Sequence, residues 1–149
     1  MVVMTVLRTP DTLAEIRDEF LELEEAERLQ LLLEFSRELP PVPDDFAANP
    51  EQYERVAECQ SPVFIAAEVT DDRTVVLHAT APAEAPTTRG FASILVQGIN
   101  GLSAEEVLAI PSDYPQSLGI TRAVSPLRIA GMTGMLVRTQ RQVRALTAI

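Results

Sequence analysis

Ser61-Pro62-Val63-Phe64-Ile65-Ala66-Ala67-Glu68-Val69-Thr70, then Asp71-Asp72, then Arg73-Thr74-Val75-Val76-Leu77-His78-Ala79-Thr80 is the stretch on which the fold turns. The first run carries Val63, Phe64, Ile65 and Val69, an apolar strand pattern. Asp71-Asp72 is a turn signal, and Arg73 to Thr80 is β-branched and alternating. Together they predict an antiparallel hairpin, with Tyr53 to Val56 as a short third strand.

Outward from the hairpin the apolar spacing becomes helical on both sides. Upstream, Pro10 precedes Thr12-Leu13-Ala14-Glu15, a capping-box pattern that leads into Leu13, Ile16, Phe20 and Leu23. A second periodic stretch holds Leu29, Leu32, Leu33 and Leu39, with Glu and Arg on its other face. Pro40-Pro41-Val42-Pro43 ends it, and Pro40 to Pro50 reads as a loop.

Downstream, Ala81 to Pro86 is linker-like, and Thr88-Arg89-Gly90-Phe91 leads into Ile94, Leu95 and Ile99. Ser103-Ala104-Glu105-Glu106 is another capping box, and Pro111 stops that short helix. Ser125-Pro126 predicts an N-cap with proline in the first turn. Leu127, Met132, Met135, Leu136, Val143 and Leu146 then mark a long C-terminal helix. The expected fold is α+β: a small antiparallel sheet of two to three strands flanked by N-terminal and C-terminal helices.

A chain of 149 residues, 46% hydrophobic, predicts one domain spanning 1–149, with residues 1–8 flexible. No apolar run approaches the ~20 residues of a membrane span. Met1 to Leu7 is apolar but has no basic segment before it and is too short for a signal core. The expected location is therefore the cytoplasm, with no membrane partner.

The net charge of −10 is unevenly spread. Residues 11–58 hold 15 acidic side chains against 4 arginines, while residues 120–149 hold 5 arginines and no acid. The acidic half argues against nucleic acid as a partner, since phosphate contacts need a basic surface. The arginines of the tail, Arg122, Arg128, Arg138, Arg141 and Arg144, read as a solvated face or as counter-charge to the acidic half.

Cys59 is the only cysteine, in the run Val56-Ala57-Glu58-Cys59-Gln60-Ser61-Pro62 just before the hairpin. One thiol forms no internal disulfide, and with the single histidine, His78, it cannot complete a four-ligand zinc site. A thiol hydrolase needs a base beside the thiol. His78 is the one candidate, and its place inside a predicted strand reads as structural. A free cysteine is commonly buried and inert. Here it lies between a polar loop and a strand, a position typical of functional residues, with Gln60 and Ser61 as potential donors to a thiolate.

The Cys59-Gln60-Ser61 motif, followed by an aromatic-containing strand, resembles the SufE family of sulfur acceptor proteins. Weaker matches fall in the same order: Phe35 to Leu39 before the proline-containing loop, Arg55-Val56 ahead of the cysteine, Arg89-Gly90 at the central helix, and Ser125-Pro126-Leu127-Arg128 at the last helix. The resemblance implies that Cys59 takes a persulfide sulfur from a cysteine desulfurase, stimulates that enzyme, and passes the sulfur to an iron–sulfur cluster scaffold complex. It implies no cofactor of the chain's own, since pyridoxal phosphate belongs to the desulfurase. The rival reading is a non-covalent adaptor or activator whose cysteine is unreactive. A cluster scaffold is excluded by ligand count, because a cluster takes four thiolates and this chain has one.

Glu58 stands where many family members carry glycine, and a carboxylate there is expected to raise the thiol pKa. Arg89 and Arg128 lie at helix starts, where a cation gains nothing from the helix dipole. Their expected use is at a docking surface ringing Cys59, together with Gly90, or in fixing a loop.

Overall fold

The computed structural model describes residues 6–148. Six helices surround one three-stranded antiparallel sheet: α1 (Asp11–Glu22), α2 (Glu25–Arg37), α3 (Asp44–Ala48), β1 (Glu54–Arg55), β2 (Phe64–Val69), β3 (Val75–Thr80), α4 (Pro86–Ile99), α5 (Ala104–Leu108) and α6 (Pro126–Thr147). Short 3₁₀ turns lie at Pro50–Gln52 and Pro115–Leu118. The expected α+β fold is the observed one. No described helix is long and apolar enough to cross a membrane.

The sheet order is β1-β2-β3. Ile65 pairs with Ala79, Ala67 with Leu77 and Val69 with Val75, so one face of the hairpin gathers the buried Ile65, Val75, Leu77 and Ala79. The third strand expected at Tyr53 to Val56 is Glu54–Arg55, pairing Glu54 with Ile65 and Arg55 with Phe64. The hairpin turns through Arg73, which is left-handed at φ 66° and belongs to the turn rather than to the strand.

α4 is the hub. It packs against α1, α2, β3 and α6, and from Gly90 to Ile99 only Gln97 is not buried. A helix apolar on nearly every face is one enclosed on all sides. α6 crosses β2 and buries Ile129, Met132, Met135, Leu136 and Val143, while Leu127 and Leu146 of the same helix are exposed.

The Ser103 capping box forms with both of its bonds, and Ser125 Oγ accepts from Arg128 N at the start of α6. The capping box expected at Thr12 does not form. Pro10 is the N-cap residue, and Thr12 Oγ1 instead donates to Gly98 O at 2.6 Å, tying α1 to the end of α4. The expected loop from Pro40 to Pro50 contains α3, because Phe46 is buried and stacks on Tyr53 with centroids 4.0 Å apart. Of the residues expected to be flexible, 1–5 lie outside the described residues, and Arg8 N donates to Ala109 O at 2.8 Å.

Candidate functional site: the Cys59 cleft

Cys59 lies in the connection from β1 to β2. Val56 N donates to Val63 O at 2.9 Å, and Cys59 N to Val56 O at 3.1 Å, which folds the segment into a tight turn. The side chain points inward and is 8% exposed, with Val56 and Val63 fully buried on either side. The ceiling over the sulfur is α6 at Gly131. A Cβ built on Gly131 would lie 2.9 Å from Cys59 Sγ, closer than real atoms approach, so only glycine leaves the sulfur its seat.

A cleft of about 340 Å³ opens beside the thiol. Glu58, Cys59, Gln60 and Ser61 form one wall, Glu84 to Pro86 and Thr88 a second, and Ser125, Leu127, Arg128 and Gly131 the third. Three segments far apart in sequence thus converge on one sulfur. A second, mostly apolar groove runs along the neighbouring flank of α6 through Ile129, Ala130, Thr133 and Val137, and it shares Glu58 with the first.

Burial pushes the Cys59 thiol up to about 11, and the adjacent Glu58 carboxylate adds to the rise. Arg138 and Arg55 pull the other way without cancelling it. At neutral pH a thiol of that kind is ionised in roughly one molecule in ten thousand. Gln60 and Ser61, read as donors to a thiolate, give the sulfur no hydrogen bond among the described residues; Gln60 is exposed and Ser61 half-buried. His78 does not serve as a base. It is half-buried on β3, its Nε2 lies 3.1 Å from Glu68 Oε2, and its ring packs edge-on to Phe46.

The expected site residues fall into two groups. Glu58, Cys59, Gln60, Ser61 and Arg128 share the cleft. Arg128 is exposed there, and its guanidinium has no ion-pair partner among the described residues. Arg89 and Gly90 are placed elsewhere. Arg89 donates to Ser36 O at 2.9 Å and Ala81 O at 2.6 Å, binding α2 to the end of β3. Gly90 packs against Leu32, whose carbonyl occupies the position a Cβ would take.

Sequence reasoning missed the site roles of three α6 residues: Gly131 lines the cleft, while Gly134 and Arg138 seat Glu58. Arg138 binds Glu58 through two nitrogens, at 3.1 and 2.9 Å, and Glu54 through its third, at 2.9 Å. The signal was present: 131, 134 and 138 are spaced three and four apart, on one helix face, and two of them are helix-disfavoured glycines.

Residues 14–143 match the family model described as SufE, the Fe-S metabolism associated domain. An uncharacterized SufE-like protein of Mycobacterium tuberculosis is 47% identical over 135 residues, covering 91% of this chain and 93% of that one. SufE-like protein 1 of Arabidopsis thaliana, chloroplastic/mitochondrial, is 29% identical over 134 residues, which span 89% of this chain and 35% of that longer protein. The solution structure of a hypothetical protein from Thermus thermophilus superposes with a TM-score of 0.81 at 36% identity, covering 93% of this chain and 98% of that one. The chain belongs to the SufE family, the Fe–S metabolism associated domain.

Proposed function

We propose that this protein is a sulfur acceptor and carrier acting with a cysteine desulfurase. The Cys59 thiolate attacks the outer, sulfane sulfur of a persulfide on the desulfurase cysteine. A sulfur–sulfur bond to Cys59 forms as the donor's sulfur–sulfur bond breaks, and the donor cysteine leaves as thiolate. No external oxidant or reductant is consumed. The Cys59 persulfide then passes its sulfur to an iron–sulfur scaffold complex.

The observation that carries this reading is the seat of the sole thiol. Cys59 is nine-tenths covered yet opens onto a cleft bounded by three separate segments, with an ion-pair-free arginine, Arg128, at its mouth. Burial protects a bound persulfide from stray reductants, and the cleft gives the second sulfur a place to sit. Pyridoxal phosphate and the primary desulfuration belong to the partner. A working thiol that must stay unpaired belongs in a reducing compartment, so the proposal places the protein in the cytoplasm.

One observation favours a second reading, a non-covalent activator with an unreactive cysteine: the thiol is buried, which raises its pKa, and no hydrogen bond reaches its sulfur among the described residues. Desulfurase stimulation by Cys59→Ser separates the two. A carrier loses stimulation entirely, because a hydroxyl neither ionises near neutral pH nor exchanges with sulfur. An activator keeps it.

A further inference from the structure

We propose that Arg138 is a positioning residue for Cys59: one guanidinium staples both ends of segment 54–58 to α6 and thereby governs access to the thiol. The proposal rests on the reading of Cys59 as sulfur acceptor for its purpose, but not for its test.

The geometry is that of a fork with two occupants. Arg138 Nε and one terminal nitrogen grip the Glu58 carboxylate side-on, at 3.1 and 2.9 Å. The other terminal nitrogen reaches Glu54 Oε2 at 2.9 Å. Glu54 lies in β1 and Glu58 directly precedes Cys59, so one planar group ties both ends of the segment that leads into the thiol. A guanidinium's planar fork grips one carboxylate through two nitrogens while its third reaches another, a geometry that a lysine ammonium does not reproduce. The Arg138 and Glu54 side chains are 22% and 25% exposed, which shields the pair from solvent more than an ordinary surface bridge.

The two ends are not held equally. Glu54 is gripped redundantly: Arg141 also binds it, and Gln142 Nε2 donates to Glu54 Oε1 at 2.8 Å. Gln142 Oε1 meanwhile accepts from Ala67 N of β2 at 2.7 Å, so this end is fixed to the sheet. Glu58 has Arg138 alone among the described residues. Its carboxylate lies over Gly134, filling the space a Cβ would occupy. Beyond the backbone bond from Cys59 N to Val56 O, the end nearest the thiol is therefore tied to α6 by a single side chain, which is where a loop is released most easily.

The charged groups around the sulfur are Glu58 and Arg55 from the loop and β1, Glu84 ahead of α4, and Arg128 and Arg138 from α6. Among them Arg138 gives two opposed expectations. As a mere nearby cation it favours the thiolate, and its removal raises the pH needed for alkylation. As a staple it keeps the thiol dehydrated, and its removal readmits water and lowers that pH, since burial is the largest cause of the rise.

The test uses the full chain without desulfurase, so its outcome is independent of the sulfur-transfer reading. Iodoacetamide alkylation is followed against pH for the parent, Arg138→Gln and Arg138→Lys, with amide exchange read at Val56 and Cys59. The staple predicts a lower midpoint for Arg138→Gln and faster exchange at both amides. For every pH unit by which the midpoint falls, the thiolate fraction at neutral pH rises about tenfold and the alkylation rate about three- to fourfold, since a less basic thiolate is a weaker nucleophile. Arg138→Lys, which keeps charge but loses the fork, falls between. In a Glu54→Gln/Glu58→Gln background, Arg138→Gln causes no further acceleration of exchange at either amide. A raised midpoint with unchanged exchange overturns the proposal. Should Arg138→Gln fail to fold, Glu58→Gln removes the other half of the grip. Exchange then decides: faster exchange at Cys59 supports the staple, and unchanged exchange overturns it.

Discussion

Gly131 of α6 faces Cys59 so closely that a methyl group on it would come within 2.9 Å of the sulfur. Gly131→Ala therefore cannot be absorbed without displacing the Cys59 sulfur from its seat, by rotation of its side chain or movement of the loop. We expect faster alkylation of Cys59 in the native protein and a loss of about 1–3 kcal/mol in stability. Unchanged alkylation together with unchanged denaturant stability removes Gly131 from the thiol's seat.

The thiol itself predicts a pH dependence. Its ordinary value of 9.0 rises to about 11 in the folded protein, from burial first and Glu58 second. Between those values the unfolded chain gives up a proton that the folded one keeps. Stability is thus unaffected by this group below pH 9 and falls as pH rises toward 11. Cys59→Ser flattens that decline. The alkylation midpoint drops on denaturation, and in Glu58→Gly it drops in the native state. Equal native and denatured midpoints contradict the burial argument.

Arg128 stands at the cleft mouth with no ion-pair partner among the described residues, while Arg144 lies far along the same helix. Arg128→Glu is expected to weaken desulfurase binding, more at low salt than at high, and Arg144→Glu to leave it unchanged. Calorimetric affinities equal for both variants and the parent remove Arg128 from the docking surface.

Arg89 and Gly90 carry a stability prediction. Gly90→Ala sets a methyl group against the Leu32 backbone carbonyl, which yields less readily than a side chain, and costs about 1–3 kcal/mol. Arg89→Ala leaves the carbonyls of Ser36 and Ala81 without their charged donor, a loss of about 1.5–3 kcal/mol. Chemical denaturation checks both. Full stability with lost desulfurase binding in Arg89→Ala instead assigns that residue to docking.

Local chemistry was legible wherever a residue's partner lies nearby in sequence. Ser103 and Glu106 are three residues apart and cap each other; Ser125 caps a helix that begins at the next residue. The alternation from Arg73 to Thr80 gave the hairpin its register, because one face had to be buried. Thr12 misled because a capping pattern is only an offer. With Pro10 already extended before α1, its hydroxyl found Gly98, 86 residues away.

The cleft was half legible for the same reason. Cys59 and Glu58 announce themselves as neighbours, whereas the residues that seat them, Gly131 and Arg138, lie 72 and 80 positions downstream. A glycine or an arginine on a helix does not say which loop it faces. Arg89 was open to either docking or fixing a loop because its carbonyl partners are backbone atoms, which no side-chain pattern reveals.

The central claim is that Cys59 carries sulfur, and the most direct measurement is intact mass. The full chain and Cys59→Ser are each incubated with a cysteine desulfurase and free cysteine, without reductant, and their masses compared. The account predicts that the parent gains the mass of one or more sulfur atoms, that prior alkylation of Cys59 prevents the gain, and that Cys59→Ser gains none. A parent whose mass is unchanged while the desulfurase turns over, or a Cys59→Ser protein that gains sulfur as the parent does, contradicts it.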